Sequence, residues 1–251
     1  MIILRSEREI SKIKDSSRID REILEELIES ARPGITTQKL DDMSVASMKR
    51  YGVVSATIGY KGYPRHICVS INEEVVHGIP GDRMLLDGDI VSIDICVHKN
   101  GYYGDCARTV AIGEVDEEKK TLLDTGRKAL DTAIAKAVPG NRIGDISCAI
   151  ESTAAEAGCS VVREFTGHGI GTSMHEDPKI PNYGRANTGP RIKPGMVFAI
   201  EVMINAGTWE VKVLDDNWTV VTVDGKPSVH FENTIAVTKS GNEVLTCLRK
   251  T

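Results

Sequence analysis

Two carboxylates stand where a folded chain tolerates charge least: Asp94 in Ser92-Ile93-Asp94-Ile95 and Glu201 in Ala199-Ile200-Glu201-Val202. Both segments read as strand interiors, and an ionised carboxylate there is destabilising by several kcal/mol unless a cation or a hydrogen-bonded partner compensates it. Three further groups sit in apolar or glycine-rich surroundings: Asp105 in Gly104-Asp105-Cys106, His168 in Gly167-His168-Gly169-Ile170-Gly171, and Glu232 in Phe231-Glu232-Asn233-Thr234. No lysine or arginine adjoins Asp94, Glu201 or Glu232. Divalent ions are the natural partner. Five oxygen or nitrogen donors exceed what one ion usually takes from protein, which argues for two adjacent ions sharing bridging carboxylates.

Asp105 alone reads as a turn residue, but Asn100-Gly101 between Val97 and Tyr102-Tyr103 is a hairpin signal that folds it back toward Asp94. Glu232 is the weaker carboxylate, because edge strands often carry charge. The glycines around His168 lack the Gly-x-Gly-x-x-Gly spacing of a phosphate cradle and are read as backbone passing close to an ion or ligand. His77 and His175 taken singly are structural histidines. Beside a five-donor cluster they become candidates for hydrogen-bond donors or proton carriers. His66, His98 and His230 have no assigned role.

The layout is duplicated. Pro33-Gly34 is followed after 18 residues by Gly52, and Pro139-Gly140 after 18 by Gly158. Each interval holds a helical pattern, and each is preceded by another helical candidate, over residues 6–31 and 116–137. Asp94 stands six residues after Gly88, and Glu201 six after Gly195. Ala107-Arg108-Thr109-Val110-Ala111 is echoed by Glu232-Asn233-Thr234-Ile235-Ala236. The expectation is one α+β domain over residues 1–251, with halves of about 1–115 and 116–251, their helices packed on a curved antiparallel sheet.

At 251 residues, 41% hydrophobic and 27% charged, the composition suits a globular enzyme, and a net charge of −5 gives no footprint for nucleic acid. The N-terminal apolar run is too short for a signal peptide, and no stretch reaches membrane-spanning length, so the cytoplasm is the expected location. Six cysteines without Cys-x-x-Cys spacing read as reduced, buried thiols.

With these residues assembled, the chain resembles the type I methionine aminopeptidases of the pita-bread-fold metallopeptidases over essentially its full length. The matching strings are Gly59-Tyr60-Lys61-Gly62-Tyr63-Pro64, His77-Gly78-Ile79-Pro80, the Asp94/Asp105 hairpin, Gly167 to Glu176, Glu201, and Trp218 before Glu232. The resemblance implies a pita-bread fold in which Asp94 holds one divalent ion, His168 and Glu201 hold a second, and Asp105 and Glu232 bridge them. It implies Co(II), Mn(II) or Fe(II) as the ions and His77 and His175 as substrate histidines. The methionine pocket would include Tyr60, Tyr63, Cys68, Met174 and Trp218. The expected reaction is removal of N-terminal methionine from nascent chains, at the ribosome, when the second residue is small; the expected form is a monomer. In it, Glu201 takes a proton from a metal-activated water, while His175, with His77, stabilises the oxyanion.

The family usually has proline where this chain has Val202 and histidine where it has Asn233. Cysteine is frequent at Thr57, phenylalanine at Met174 and glutamine at His230. Two other readings compete. Proline-directed aminopeptidases or dipeptidases of the same fold generally carry a large extra N-terminal domain and further histidines. Non-catalytic binding proteins on the scaffold have typically lost ligands, and all five are present here.

Overall fold

The computed structural model describes residues 1–248. Its four α-helices fall where the periodicity places them: α1 over Glu7–Ser30, α2 over Thr37–Tyr51, α3 over Glu117–Lys136 and α4 over Ile143–Glu156. Helix α1 begins in a capping box, Ser6 accepting from the Glu9 N–H while the Glu9 carboxylate accepts from the Ser6 N–H. Thirteen strands follow among the described residues: β1 Val54–Ser55, β2 Cys68–Ile71, β3 Glu74–Val76, β4 Ile90–Lys99, β5 Tyr102–Ala111, β6 Ser160–Val161, β7 Thr166–Gly169, β8 Glu176–Pro181, β9 Val197–Asn205, β10 Val211–Val213, β11 Val220–Thr222, β12 Ser228–Val237 and β13 Asn242–Val244.

The main sheet runs β1-β4-β5-β12-β9-β7-β8, with β2 on β4, β6 on β9 and β13 on β12. Strands β10, β11 and β3 form a second, three-stranded sheet. All pairings are antiparallel. Glu232 is therefore on a central strand, not an edge strand, and it is buried.

Strand alternation divides the residues between two faces. Ile93 and Ile95 of β4 pack with Ile23 and Leu27 of α1, and Ile200 and Val202 of β9 share a core with Leu122 of α3 and Ile146 of α4. Asp94 and Glu201, one residue out of step, face the other way. Asn100 and Gly101, both at positive φ (52° and 84°), close the β4–β5 hairpin as their sequence indicates. The turns that launch β4 and β9 also match, with Gly88 at φ 91° and Gly195 at φ 92°.

At the centre, β5 and β12 pair directly only at Ala107↔Glu232 and Cys106↔Asn233. To either side a threonine takes over from the ladder. Thr234 Oγ1 accepts from the Asp105 N–H at 3.2 Å and donates to its carbonyl at 2.8 Å. Thr109 Oγ1 does the same for His230, at 2.8 and 2.9 Å. Both threonines are 0% exposed. Matching the halves on these clips sets Thr109 against Thr234, Ala107 against Glu232, and Asp105 against His230. No helix among the described residues is long and apolar enough to cross a membrane.

Thr234→Val keeps the shape but leaves a buried N–H and carbonyl of Asp105 without partners. The expected loss is about 1–3 kcal/mol of stability, or a melting temperature lower by about 2–12 °C. Calorimetry of the metal-free protein measures it, and an unchanged Tm would show that the ladder closes without the clip.

Candidate metal centre and substrate cavity

The registers place the sequence-predicted donors in two adjacent rows on one face of the sheet. The first runs Cys68, Asp94, Ala107, Glu232, Glu201 across β2, β4, β5, β12 and β9. The second runs Cys96, Asp105, Thr234, Ala199, His168 across β4, β5, β12, β9 and β7. Asp94 is thus opposite Ala107, and Asp105 opposite Cys96; the two acids are diagonal neighbours.

Donor atoms of Asp105, His168 and Glu232 lie within 4.8 Å of one another. His168 Nε2 is 3.2 Å from Glu201 Oε1 and 3.9 Å from Asp105 Oδ2. His168 Nδ1 donates to the Gly169 carbonyl at 2.8 Å, which leaves Nε2 of the neutral ring as the nitrogen that faces the acids. Buried Glu232 Oε1 has no hydrogen-bond partner. Among the described residues, no lysine or arginine forms an ion pair with Asp94, Asp105, Glu201 or Glu232. Hard oxygen donors, one oriented imidazole and an orphaned carboxylate oxygen together fit divalent cations.

The flanking glycines have a different explanation from the one their sequence suggests. A Cβ on Gly167 would sit 2.6 Å from the Ala199 carbonyl oxygen, so the glycine serves close approach of β7 to β9 rather than to an ion.

The charges confirm how strained the metal-free cluster is. Burial, reinforced by the Asp105 charge, drives the Asp94 and Glu232 carboxyls well above the carboxylate range. Burial lifts Asp105 to about 7 although the His168 charge pulls it down. Burial works against a charged His168, but the hydrogen bond it donates to Glu201 and the charges of Glu201 and Asp105 outweigh it and raise the ring to about 9. Glu201, resisting burial through the same bond, stays below its usual value.

Beside the rows opens a cavity of about 440 Å³ lined by Tyr60, Tyr63, Cys68, Met174 and Trp218 together with His77, His175 and the acids. Every residue expected in the pocket is there. Tyr63 meets Trp218 edge-on at 5.0 Å between ring centroids, and its hydroxyl donates toward the Ile67 and Gly78 carbonyls. His77 is held at φ 61°, a left-handed conformation that histidine rarely adopts, between Phe165 and Trp218. The His175 ring lies 4.3 Å from that of His168, and its Nδ1 is 3.0 Å from the Tyr60 hydroxyl. Burial and then the His168 charge lower His175 to about 4, so it works as a neutral ring. A larger hollow of about 550 Å³ beside the start of α1 is lined by Arg5, Lys14 and Lys239 and contains neither histidine nor the buried acids.

Of the departures, Thr57 and Met174 line the cavity. Val202 and Asn233 point to the helix side: Val202 joins the core there, and Asn233 Oδ1 accepts from Thr246 Oγ1 at 2.7 Å. Phe165 and Cys96 also line the cavity and were missed from sequence, as was the buried His230. Two-residue spacing was the available signal: Cys96 follows Asp94 by two, and His230 precedes Glu232 by two, on the same faces.

An antiparallel sheet with a buried acid-and-imidazole centre beside an apolar cavity defines a metal-dependent hydrolase of the pita-bread architecture. The model of metallopeptidase family M24 matches residues 11–239. Methionine aminopeptidase 1 of Bacillus subtilis is 49% identical over 246 residues, covering 98% of this chain and 99% of the relative. The crystal structure of methionine aminopeptidase from Rickettsia prowazekii superposes with a TM-score of 0.97 at 41% identity, covering 98% of this chain and 100% of that one. The prolidase of Pyrococcus horikoshii, 22% identical with a TM-score of 0.78, shares the fold alone; the match covers 99% of this chain and 65% of that one. The chain belongs to metallopeptidase family M24 and, within it, to the methionine aminopeptidases.

The raised groups set a pH dependence. Between pH 6.5 and about 9 the folded metal-free protein binds more protons than the unfolded chain at His168, so stability falls as pH rises. Asp105, raised from 3.8 to about 7, acts in the same direction at lower pH. There it is opposed by His175 and His230, both lowered to about 4 from 6.5, whose contribution grows as pH rises to 6.5. The expected melting profile in chelator therefore declines chiefly above pH 6.5, and Mn(II) removes most of the decline. A profile rising from pH 6.5 to 9 in chelator would contradict the charge assignment.

Proposed function

We propose that this protein removes the N-terminal methionine of polypeptides whose second residue is small. The observation that carries the reading is the convergence of both donor rows on one wall of a cavity whose other lining includes Tyr60, Tyr63, Cys68, Met174 and Trp218. Such a pocket suits an unbranched thioether better than a charged or β-branched side chain. The fold with its two halves, about 1–115 and 116–251, works in this reading as one catalytic unit, since Asp94 and Asp105 come from the first half and His168, Glu201 and Glu232 from the second.

Asp94 would hold one divalent ion, His168 and Glu201 another, with Asp105 and Glu232 shared; Mn(II), Fe(II) and Co(II) all suit that donor set. When bound, the ions supply a lowered water pKa and Lewis acidity at the scissile carbonyl. Glu201, the member of the set kept ionised, takes the proton of the attacking water and passes it to the leaving amine. With the Tyr60 hydroxyl donating to Nδ1, His175 carries its proton on Nε2 and directs that donor at the oxyanion. His77, wedged between Phe165 and Trp218, narrows the passage for the second residue. In the cell the protein would act as a cytoplasmic monomer on chains emerging from the ribosome, where N-terminal methionine first becomes accessible.

Asp105→Ala is expected to lose double occupancy and turnover together, because a shared carboxylate serves both ion positions. Equilibrium dialysis with metal analysis checks it; two ions retained with normal activity would remove Asp105 from the centre.

The substrate reading is tested with equimolar peptides. Met-Gly-x and Met-Ala-x should be cleaved and Met-Lys-x and Met-Phe-x largely spared. Norleucine should replace methionine with little loss, since a misfit of one methylene is worth only about 1–3 kcal/mol in such a pocket. Preferential release of residues preceding proline would overturn the assignment.

A further inference from the structure

His230 is the counterpart of Asp105 in the second half. Thr109 clips its backbone as Thr234 clips that of Asp105, and both side chains point to the same face of the sheet, two residues from the central Ala107↔Glu232 pair. His230 is opposite Met203 on β9, which makes it the diagonal neighbour of Glu201. Its ring is 2% exposed, and its buried Nε2 has no hydrogen-bond partner. A buried ring nitrogen in that condition is costly unless an acceptor comes within reach. The acceptor beside it is Glu201 Oε2, at 3.7 Å. The other oxygen of the same carboxylate, Oε1, is 3.2 Å from His168 Nε2. Glu201 is therefore flanked by one imidazole on each oxygen.

We propose that His230 is a positioning residue for Glu201: its Nε2–H donates to Oε2 and fixes the plane of the carboxylate, with Oε1 on the His168 side and the free lone pair of Oε2 turned toward the cavity. A separation of 3.7 Å exceeds a hydrogen bond. A small rotation of the carboxylate would close it, since catalytic hydrogen bonds that are long in the free enzyme tighten in the substrate complex. Thr109 holds the His230 backbone at both N–H and carbonyl, which fixes where the ring is carried and leaves the carboxylate to turn toward it. The proposal rests on the aminopeptidase reading, in which Glu201 is the proton acceptor.

The test uses the full-length, metal-loaded protein and a Met-Ala-Ser peptide. His230→Leu is expected to lower kcat about tenfold with KM within about twofold, the pattern of a group that orients a base rather than binds substrate. Its metal content should match that of the unsubstituted protein. His230→Gln, whose amide can donate along a similar line, should recover kcat to within about threefold. In the zinc-loaded protein, the Nε2–H of His230 should give a downfield, slowly exchanging ring-proton signal in nitrogen-correlated NMR spectra, missing from His230→Gln. Unchanged kcat in His230→Leu overturns the proposal. So does an equal loss in both variants, or loss of one metal equivalent in His230→Leu, which would make the ring a ligand. If the unsubstituted protein cleaves no methionine peptide, the aminopeptidase reading fails by itself, while the ring-proton signal still reports whether His230 bonds to Glu201.

Discussion

Four carboxylates gathered on one face of the sheet, Asp105 and Glu232 buried and Asp94 and Glu201 half-buried, are the constraint on which the rest of the molecule depends. Asp94, Asp105, Glu201 and Glu232 lie close enough to repel one another, and among the described residues no lysine or arginine is paired with them. The fold cannot supply that relief from within, because the helix-facing side of the same strands is an apolar core of Ile93, Ile95, Ile200 and Val202. Only His168 offers positive charge, and it satisfies mainly Glu201. Burial raises the carboxyls of Asp94, Asp105 and Glu232, so a cation bound among them would also add to the stability of the fold.

The acidic field reaches through the sheet. Asp20 of α1 is 0% exposed on the helix side, and neither of its carboxylate oxygens has a hydrogen-bond partner. Burial pushes its carboxyl well up, and the charges of Asp105 and then Asp94 add to the effect. Helix α1 comes this close to β5 because Gly104 has no side chain: a Cβ there would sit 2.5 Å from the Ser17 backbone nitrogen. The residue that lets the helix approach is the one before Asp105. The same short stretch thus sets both the position of an acid on the metal side and the burial of another behind it.

Much of this was legible in the sequence, for physical reasons that differ from residue to residue. Asp94 and Glu201 stood out because a strand interior has no other use for a carboxylate, and the helices because their apolar spacing is local. The hairpin at Asn100-Gly101 was legible because both positions need positive φ. Glu232 was misjudged as an edge residue, since strand order across a sheet is set by long-range pairing that no local pattern records. The glycines of Gly167-His168-Gly169 were given to a ligand for the same reason: their neighbours are β8 and β9, distant in the chain. His77 and His175 became candidates only beside the five-donor cluster, and family likeness supplied their substrate role and the pocket.

The duplication explains the architecture but not the chemistry, which arises where the halves differ. Asp94 and Glu201 match as acids. The other matched positions do not: Ala107 faces Glu232, Asp105 corresponds to His230, and Ser70, opposite Ser92, corresponds to His168, opposite Ala199. The first half therefore brings carboxylates alone, and the second brings a carboxylate pair with two imidazoles around it. A symmetric centre would give two equivalent ion positions and no preferred direction for proton flow. Here one acid, Glu201, is held below its usual carboxylate range by neighbouring imidazole while burial drives Asp94 and Glu232 up, which sets Glu201 apart from them and supports its proposed role as base. The threonine clips make this asymmetry tolerable, because they hold Asp105 and His230 by their backbones and leave the side chains free to differ.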